Sequence, residues 1–435
     1  MRPGETDAME RARRIDTVVV GAGQAGLCMS YVLQQEGREH VLIEKGRALE
    51  QWRSARWDSF KINSPIAYSR LMGQTDGLAD TTASIPLNEM IRLWDECIAQ
   101  RRFPIREQSK VLAVERTAQG RFSIRVESDL GPRRYDALNV VAAPGNYQIA
   151  KIPSFAKYLD AEVQQLRIGT YTNPSAIQEG AVLVVGGGQT GVQLAEELAA
   201  AGRCVYLATS KVKGTPRHYR GEDIMFWLDR IGLLTTPKET LSCAAERYDR
   251  MPIVGPDHPI SHHSLARLGV TLLGGLRDIS QDGTTATFRD DLQANIAFAR
   301  QGYEELIDVI EDWISRADPT VRARYPTPTA EPAWPAHPPL LASAPPASLN
   351  LRKHRIRAVV WATGWRADLS WLQIDEVRKA LDPHGLPEAC ETPADGFYWL
   401  GFHWLRTSTS GNGAGFHRDA PHVAARLRRG AGRNS

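Results

Sequence analysis

Two short glycine-rich segments have the residue types and spacing that most directly indicate chemistry in this sequence. Gly21, Gly23 and Gly26 form a GxGxxG pattern, and Gly186, Gly188 and Gly191 form a second one in the middle of the chain. In such a pattern the first glycine permits a tight turn. The second lets a pyrophosphate approach the backbone, and the third lets a helix pack closely on a strand. Each pattern therefore predicts a dinucleotide-binding turn.

The residues around each turn predict the elements that must position it. A β-branched run at 15–20 precedes the first turn, and a helical stretch at 27–36 and an apolar strand ending at Glu44 follow it. The second turn has the same surroundings, with strands at 181–185 and 204–209 on either side of a helix. A strand, turn, helix and strand in this order is the context that gives a GxGxxG pattern its meaning. The alternative is a glycine-rich turn in any βαβ unit.

The two copies differ at the end of their second strand. The first copy ends in Glu44, whose carboxylate can bind a ribose hydroxyl, whereas the second continues into Ser210 and Lys211, with Arg217 and Arg220 nearby. A carboxylate would repel a ribose 2′-phosphate, while serine, lysine and arginine would hold one. We therefore expect FAD in the first turn and NADPH in the second. The alternative for Lys211 is a solvated surface lysine.

Composition limits the function classes. The 435 residues carry a net charge of +3, too little for a nucleic-acid groove, and no apolar run is long enough to span a membrane. Five cysteines include no CxxC pair, which argues against a disulfide scaffold, a zinc ribbon or a redox dithiol. We expect a cytoplasmic protein that binds no metal and acts on a small molecule. The sequence is compatible with a homodimer but does not predict one.

The layout resembles the class B flavin-dependent monooxygenases, which include flavin-containing, N-hydroxylating and Baeyer–Villiger enzymes. The likeness covers about residues 14–425. It rests on the two turns, on Trp52–Pro65, on the basic segment 217–228, on VVWATGW at Val359–Trp365 and on the closing SGNGAGFHRDA. In this family NADPH reduces FAD, and O2 forms a C4a-(hydro)peroxyflavin that oxygenates a small-molecule nitrogen, sulfur or carbonyl centre.

The resemblance also implies roles for particular residues. Asn63 falls where the family carries an asparagine beside the flavin, although a turn-capping role before Ser64-Pro65 suits the local sequence equally well. Asp419 matches an acidic residue on the closing helix, whose N-terminus would face the flavin. The resemblance and the motifs together predict these cofactor-binding residues: Gly21, Gly23, Gln24, Ala25, Gly26, Glu44, Lys45, Trp52, Arg53, Trp57, Asp58, Gly186, Gly188, Gln189, Thr190, Gly191, Ser210, Lys211, Arg217, Arg220, Ala362, Thr363, Gly364 and Asp419.

The sequence departs from the family at two places. The FxGxxxH fingerprint expected before the second turn is absent, with Arg167 at its histidine position, and His417 stands where relatives carry glycine. These departures keep two alternatives open beside the monooxygenase. One is an NADPH oxidase or dehydrogenase that inserts no oxygen, and the other is a non-catalytic regulator that binds NADPH and FAD.

The predicted fold is α/β, with two Rossmann-like dinucleotide-binding domains. We expect a discontinuous FAD domain, 1–155 and 352–435, into which the NADPH domain, 156–351, is inserted. The inserted domain would carry a helical region at 290–316 and a proline-rich loop at 319–346.

Overall fold

The structure is a computed structural model that describes residues 12–75, 82, 84–241, 252–326 and 345–429. The strands are β1 (Arg13–Val20), β2 (His40–Ile43), β3 (Ile105–Arg106), β4 (Ser109–Arg116), β5 (Phe122–Ser128), β6 (Arg133–Ala142), β7 (Ile149–Ala150), β8 (Gln164–Arg167), β9 (Ala181–Val185), β10 (Val205–Ala208), β11 (His218–Tyr219), β12 (Glu222–Asp223), β13 (Thr271–Leu273), β14 (Leu276–Ile279), β15 (Thr285–Phe288), β16 (Ser348–Asn350), β17 (Ile356–Trp361), β18 (Trp365–Arg366) and β19 (Phe397–Trp399). The helices are α1 (Gln24–Gln35), α2 (Glu50–Ser54), α3 (Ile66–Ser69), α4 (Leu87–Arg101), α5 (Gln189–Ala200), α6 (Ile224–Arg230), α7 (His262–Arg267), α8 (Leu292–Arg316), α9 (Pro319–Arg324), α10 (Asp375–Lys379) and α11 (Gly413–Ala424).

The first sheet contains the first glycine-rich turn. Its strand order is β3-β2-β1-β6-β5-β4, and β19 pairs in parallel with the end of β6. The strands β1, β2, β3 and β6 are parallel, whereas β4 and β5 form an antiparallel hairpin that continues into β6. Because β19 comes from the end of the chain, this sheet is built from two distant sequence segments.

The second sheet contains the second turn and is parallel throughout, in the order β13-β10-β9-β17-β8. All five residues of β9 are buried, as expected for a central strand covered on both faces. A separate three-stranded antiparallel sheet, β14-β15-β16, packs beside it.

Strand β17 lies beyond residue 352, where we predict that the inserted domain ends. This strand pairs with both β8 and β9, so the second sheet extends to Trp361. The sequence RAVVWAT at Arg357–Thr363 predicts a buried strand, but only the pairing decides which sheet that strand joins. The chain then returns to the first sheet through β18. This strand pairs with β7, which lies on the segment that leads from the first sheet to the second.

The proline-rich stretch also differs from the predicted loop at its beginning. Pro319–Arg324 is a short helix whose first turn is capped by the Asp318 side chain, which accepts bonds from the backbone N–H groups of Thr320 and Val321. Proline is well tolerated at the first helical position because its missing N–H would have no helical partner there. The remainder of the predicted loop, 327–344, lies outside the described residues.

Among the described residues, no helix is long and apolar enough to cross a membrane.

Candidate active site: one cavity between two glycine-rich turns

Both glycine-rich turns open into a single cavity of ≈ 1270 Å³. The cavity lies between the two sheets, at the carboxyl ends of β1 and β9, where ligands bind in parallel α/β sheets. Most of the predicted site residues line it: Gly21, Gly23, Gln24, Ala25, Glu44, Lys45, Trp52, Trp57, Asn63, Gly186, Gly188, Gln189, Thr190, Ser210, Lys211, Ala362, Thr363 and Gly364.

The first turn has the division of roles that its three glycines predict. Gly21 has φ +102°, and a Cβ placed there would lie 2.5 Å from the carbonyl oxygen of Ala143. A Cβ on Gly26 would lie 2.0 Å from the carbonyl oxygen of Gly21, so this glycine allows α1 to pack on its own strand. A Cβ on Gly23 would meet no atom within 4 Å. The second glycine therefore borders open space at the N-terminus of α1, where a phosphate binds.

The second turn repeats this geometry closely. Gly186 has φ +119°, and its Cβ would lie 2.3 Å from the carbonyl oxygen of Ala362. A Cβ on Gly191 would lie 1.7 Å from the carbonyl oxygen of Gly186, whereas one on Gly188 would meet no atom within 4 Å. The cradle at the N-terminus of α5 therefore has the same shape as the one at α1.

Glu44 lies where the first copy requires a carboxylate. Its two carboxylate oxygens accept hydrogen bonds from the backbone N–H groups of Ala22 and Gly46, each at 2.9 Å. These bonds hold the carboxylate at the rim of the cavity beside the turn. Each oxygen keeps a second lone pair, so the group can still accept a bond from a ribose hydroxyl.

The equivalent position in the second copy is cationic. Ser210 accepts a bond from the Gly187 backbone N–H at 3.0 Å, and Lys211 follows it with its ammonium 4.5 Å from the centre of the Phe298 ring. Arg289, which the sequence reasoning missed, also lines this end of the cavity. Arg289 directly follows β15 and lies about 80 residues beyond Ser210 in the sequence, so motif spacing could not have predicted it.

Arg217 and Arg220, predicted as phosphate ligands, do not line the cavity. The Arg217 side chain is fully buried, forms an ion pair with Asp223 and donates to the carbonyl oxygen of Asn63 at 2.6 Å. Arg220 forms two bonds with the carboxylate of Glu311, at 2.7 and 2.5 Å. Each arginine already has a carboxylate partner within the protein, which corrects the prediction.

Arg53, Asp58 and Asp419 also lie away from the cavity lining. Arg53 pairs with Asp95 of α4, and Asp58 accepts a bond from Asn173 at 2.7 Å. Asp419 is completely buried on α11, 3.2 Å from Arg406, and burial raises its pKa above the ordinary value. These residues connect elements rather than face a ligand, although Asn412 and Gly413 at the beginning of α11 do line the cavity as expected.

Asn63 lines the cavity, and its side chain does not cap the following turn. Its Oδ1 accepts a hydrogen bond from Nε2 of Gln193 on α5, at 2.8 Å. The helix that begins after Pro65 has no side-chain cap. Gln193 is a second residue that the sequence reasoning missed, although it lies two positions beyond the second glycine pattern.

The cavity wall also carries an aromatic and basic group that the motifs do not indicate. The Arg56 guanidinium lies over the rings of Trp52 and Phe60, 4.8 and 5.4 Å from their centres. Burial lowers the pKa of Arg56 to about 10. Nearby, the Tyr147 hydroxyl and Nε2 of His403 are 3.2 Å apart, and burial lowers the pKa of His403. We expect the cavity to favour an anionic ligand at this wall.

The two residues that depart from the family pattern, Arg167 and His417, lie in different parts of the structure. Arg167 ends β8 at the edge of the second sheet and is not part of the cavity lining. His417 lies on α11, where Nε2 is 3.0 Å from the carbonyl oxygen of Arg70. His417 therefore holds α11 against the segment after α3, and it is not among the residues that line the main cavity.

Two sheets that each open a glycine cradle into one cavity define a dinucleotide-binding fold with two Rossmann-like units. Residues 18–229, just under half of the chain, match the family described as pyridine nucleotide-disulphide oxidoreductase. The chain is 28% identical over 414 residues to a protein of Geobacillus kaustophilus named "Uncharacterized oxidoreductase CzcO-like", covering 94% of this chain and 97% of that one.

Two solved structures have the same fold over nearly the whole chain. The flavin-containing monooxygenase from Stenotrophomonas maltophilia superposes with a TM-score of 0.63 at 17% identity, covering 95% of this chain and 98% of that chain. The complex of OTEMO with FAD and NADP gives a TM-score of 0.55 at 15% identity, with 95% and 85% covered. These matches confirm the predicted α/β fold with two Rossmann-like units, which the chain shares with both solved structures.

Proposed function

We propose that this protein is a monooxygenase that binds FAD at the first turn and NADPH at the second. The observation that carries the proposal is the pair of matching cradles at the N-termini of α1 and α5, both open to one cavity. The simplest reason for binding two dinucleotides in one cavity is hydride transfer from the nicotinamide ring of one to the flavin ring of the other. The OTEMO complex, which holds FAD and NADP on the same fold, supports this assignment.

The residues of the cavity fit the two cofactors on chemical grounds. Gly23 and Gly188 leave the space that a diphosphate needs beside a helix N-terminus. Glu44 would accept a bond from a free ribose hydroxyl at the first site, while Lys211 and Ser210 would bind a 2′-phosphate at the second. These contacts would favour FAD at the first site and NADPH over NADH at the second.

When bound, FAD supplies the redox chemistry, accepting the hydride of NADPH and activating O2 for transfer of one oxygen atom to a nitrogen, sulfur or carbonyl centre of a small molecule. The protein's own contribution is to bind and orient. Trp52, Trp57 and Phe60 give the cavity an aromatic wall, and the Arg56 guanidinium that lies over two of these rings would bind a negatively charged part of a ligand. The Asn63 amide, held from the opposite sheet, would donate a hydrogen bond to negative charge that develops there.

The proposal is tested on the purified protein in three steps. It should contain FAD, NADPH should bleach the flavin absorbance without oxygen, and mixing the reduced protein with O2 should give a transient near-ultraviolet absorbance before reoxidation. A panel of amines, sulfides and ketones, scored for product against hydrogen peroxide, then identifies the substrate class. A protein that contains no FAD, or whose flavin NADPH does not reduce, would refute the proposal.

A second candidate is an NADPH oxidase or dehydrogenase that does not insert oxygen. It is favoured by one observation: Arg167 replaces the fingerprint histidine and lies at a sheet edge away from the cavity. Direct reoxidation with one hydrogen peroxide released per NADPH, and no product from the panel, would support this candidate. NADPH consumption in either mode would argue against a non-catalytic regulator.

A further inference from the structure

Asn63 is a cavity residue that is held by the other half of the molecule. It belongs to the 52–65 segment, which lies between β2 and β3 of the first sheet, but its hydrogen-bond partners come from α5 and from the segment just before β11. Nε2 of Gln193 donates to its side-chain oxygen at 2.8 Å, and Nη1 of Arg217 donates to its backbone oxygen at 2.6 Å.

Both partners are themselves held firmly. Gln193 is 8% exposed and lies on α5, the helix that begins at the second glycine turn. Arg217 is 1% exposed and is paired with Asp223, and it also donates to the carbonyl oxygen of Gly255 at 3.2 Å. The backbone and the side chain of Asn63 are therefore each fixed by a rigid group.

The bond from Gln193 determines which end of the Asn63 amide remains for a ligand. A carboxamide has one acceptor oxygen and an NH2 group with two donors. Since the oxygen accepts the bond from Gln193, the NH2 end is the one that the amide can offer to the cavity it lines. A donor so placed stabilises negative charge, whereas an oxygen in the same place would repel it.

We propose that Gln193 is a positioning residue that orients the Asn63 amide with its NH2 group toward the cavity. The proposal rests on the proposed function, because it assigns Asn63 to the flavin. If Gln193 has this role, then α5, the helix that would bind the NADPH diphosphate, also sets the orientation of the Asn63 amide near FAD. A shift of α5 relative to the first sheet would release this amide.

The decisive variants change the donor at position 193 while keeping its size. In Gln193→Glu the ionised carboxylate can only accept, so the Asn63 amide should turn and present its oxygen to the cavity. At low pH the protonated carboxyl donates again and should restore the orientation. Gln193→Met removes the hydrogen bond and has no group that titrates. Gln178→Glu makes the same charge change at an exposed position outside the cavity.

The readouts are FAD titration of the apo-protein, the visible absorbance of the bound oxidised flavin and the lifetime of the near-ultraviolet transient. We expect all variants to bind FAD within about twofold of wild type. Gln193→Glu should shift the flavin bands and shorten the transient about tenfold or more at neutral pH, in line with the loss of one oriented donor. Both effects should reverse on acidification in Gln193→Glu and persist in Gln193→Met.

A double-mutant cycle with Asn63→Ala completes the test. If Gln193 acts through Asn63, Gln193→Glu should change neither the flavin bands nor the transient further in the Asn63→Ala background. Equal effects of Gln193→Glu with and without Asn63, or no difference from Gln178→Glu at any pH, would overturn the inference. A wild-type protein with bound flavin but no transient would refute the oxygenase proposal alone, because the flavin bands would still report the amide.

Discussion

The second and third glycines of the second turn offer a direct test of how the cradle is built. Gly191 and Gly188 are three residues apart, yet a Cβ on Gly191 would lie 1.7 Å from the carbonyl oxygen of Gly186, while one on Gly188 would meet no atom within 4 Å. Substitution by alanine should therefore affect stability at Gly191 and ligand binding at Gly188.

The magnitude at Gly191 follows from the overlap. Because Cβ contacts shorter than 3.0 Å are essentially never seen, α5 must move away from its strand by at least about 1.3 Å. Overpacking of this kind costs roughly 1–3 kcal/mol, and alanine's better helix propensity offsets about 1 kcal/mol of it. The clash is with backbone, which puts the cost in the upper half of that range. We therefore expect Gly191→Ala to lower the free energy of unfolding by about 1–2 kcal/mol, which for 435 residues is a fall in Tm of roughly 1–2 °C.

The magnitude at Gly188 follows from the ligand. Its φ of −78° is open to alanine, so the fold should lose only the roughly 0.5–1 kcal/mol that separates glycine from alanine at the N-cap of α5. A methyl group in the cradle would displace the diphosphate from one backbone N–H. The loss of a charged hydrogen bond of about 1.5–3 kcal/mol predicts roughly 10- to 100-fold weaker NADPH binding.

Urea denaturation and titration of NADPH by fluorescence measure the two effects separately. Gly23→Ala is the matched variant in the first turn. It should weaken FAD binding and lower the unfolding free energy of the apo-protein by no more than about 1 kcal/mol, since Gly23 is the N-cap of α1. The reasoning would be refuted by a Gly188→Ala protein that binds NADPH like wild type. It would also be refuted if Gly188→Ala lost as much stability as Gly191→Ala.

Three other predictions follow from the charged residues. Arg217→Met should cost about 3–5 kcal/mol of unfolding free energy in urea, because it leaves the buried carboxylate of Asp223 without its charged partner. The ratio of NADPH to NADH affinity should not change, and a collapse of that ratio would restore Arg217 as a phosphate ligand. Lys211→Ala should reduce the ratio of NADPH to NADH affinity about tenfold or more, with no change in Tm. The dissociation constants of both nucleotides measure this ratio, and an unchanged ratio would mean that Lys211 is only a solvated lysine. Burial lowers the pKa of His258 and its hydrogen bonds to Asp257 and a neighbouring carboxylate raise it, with a net rise above 6.5. The stability that protonated His258 contributes is therefore complete below pH 6.5 and is lost as the pH rises through the folded-state pKa. We expect His258→Gln to be less stable than wild type by under about 1 kcal/mol at pH 5.5 and equally stable at pH 9. A larger stability difference at pH 9 than at pH 5.5 would contradict this assignment.

The glycines show how far local sequence reasoning extends. The roles of Gly21, Gly23 and Gly26 were all predictable, because each depends on the backbone of a strand, a turn and a helix that are neighbours in sequence. The position of Glu44 followed from the same unit, since one strand separates it from the turn. The two cradles and the general α/β architecture could therefore be predicted without the tertiary structure.

The basic residues show where this reasoning ends. Lys211 and Arg217 look equally suitable for a phosphate in the sequence, but only Lys211 lines the cavity. Arg217 is neutralised by Asp223 and used to hold Asn63, and no spacing rule predicts that partnership. The pairing of Ile356–Trp361 with the second sheet was likewise decided by distant partners.

The sequence by itself determined that two dinucleotide-binding turns exist and which glycine serves which purpose in each. The tertiary structure alone decided that both turns share one cavity, which cations remain available to a ligand, and that Gln193 meets Asn63. The physical reason is the range of the interactions involved. Backbone conformation is set within a few residues, whereas the partner of a long charged or amide side chain is set by whatever the fold brings within hydrogen-bonding distance.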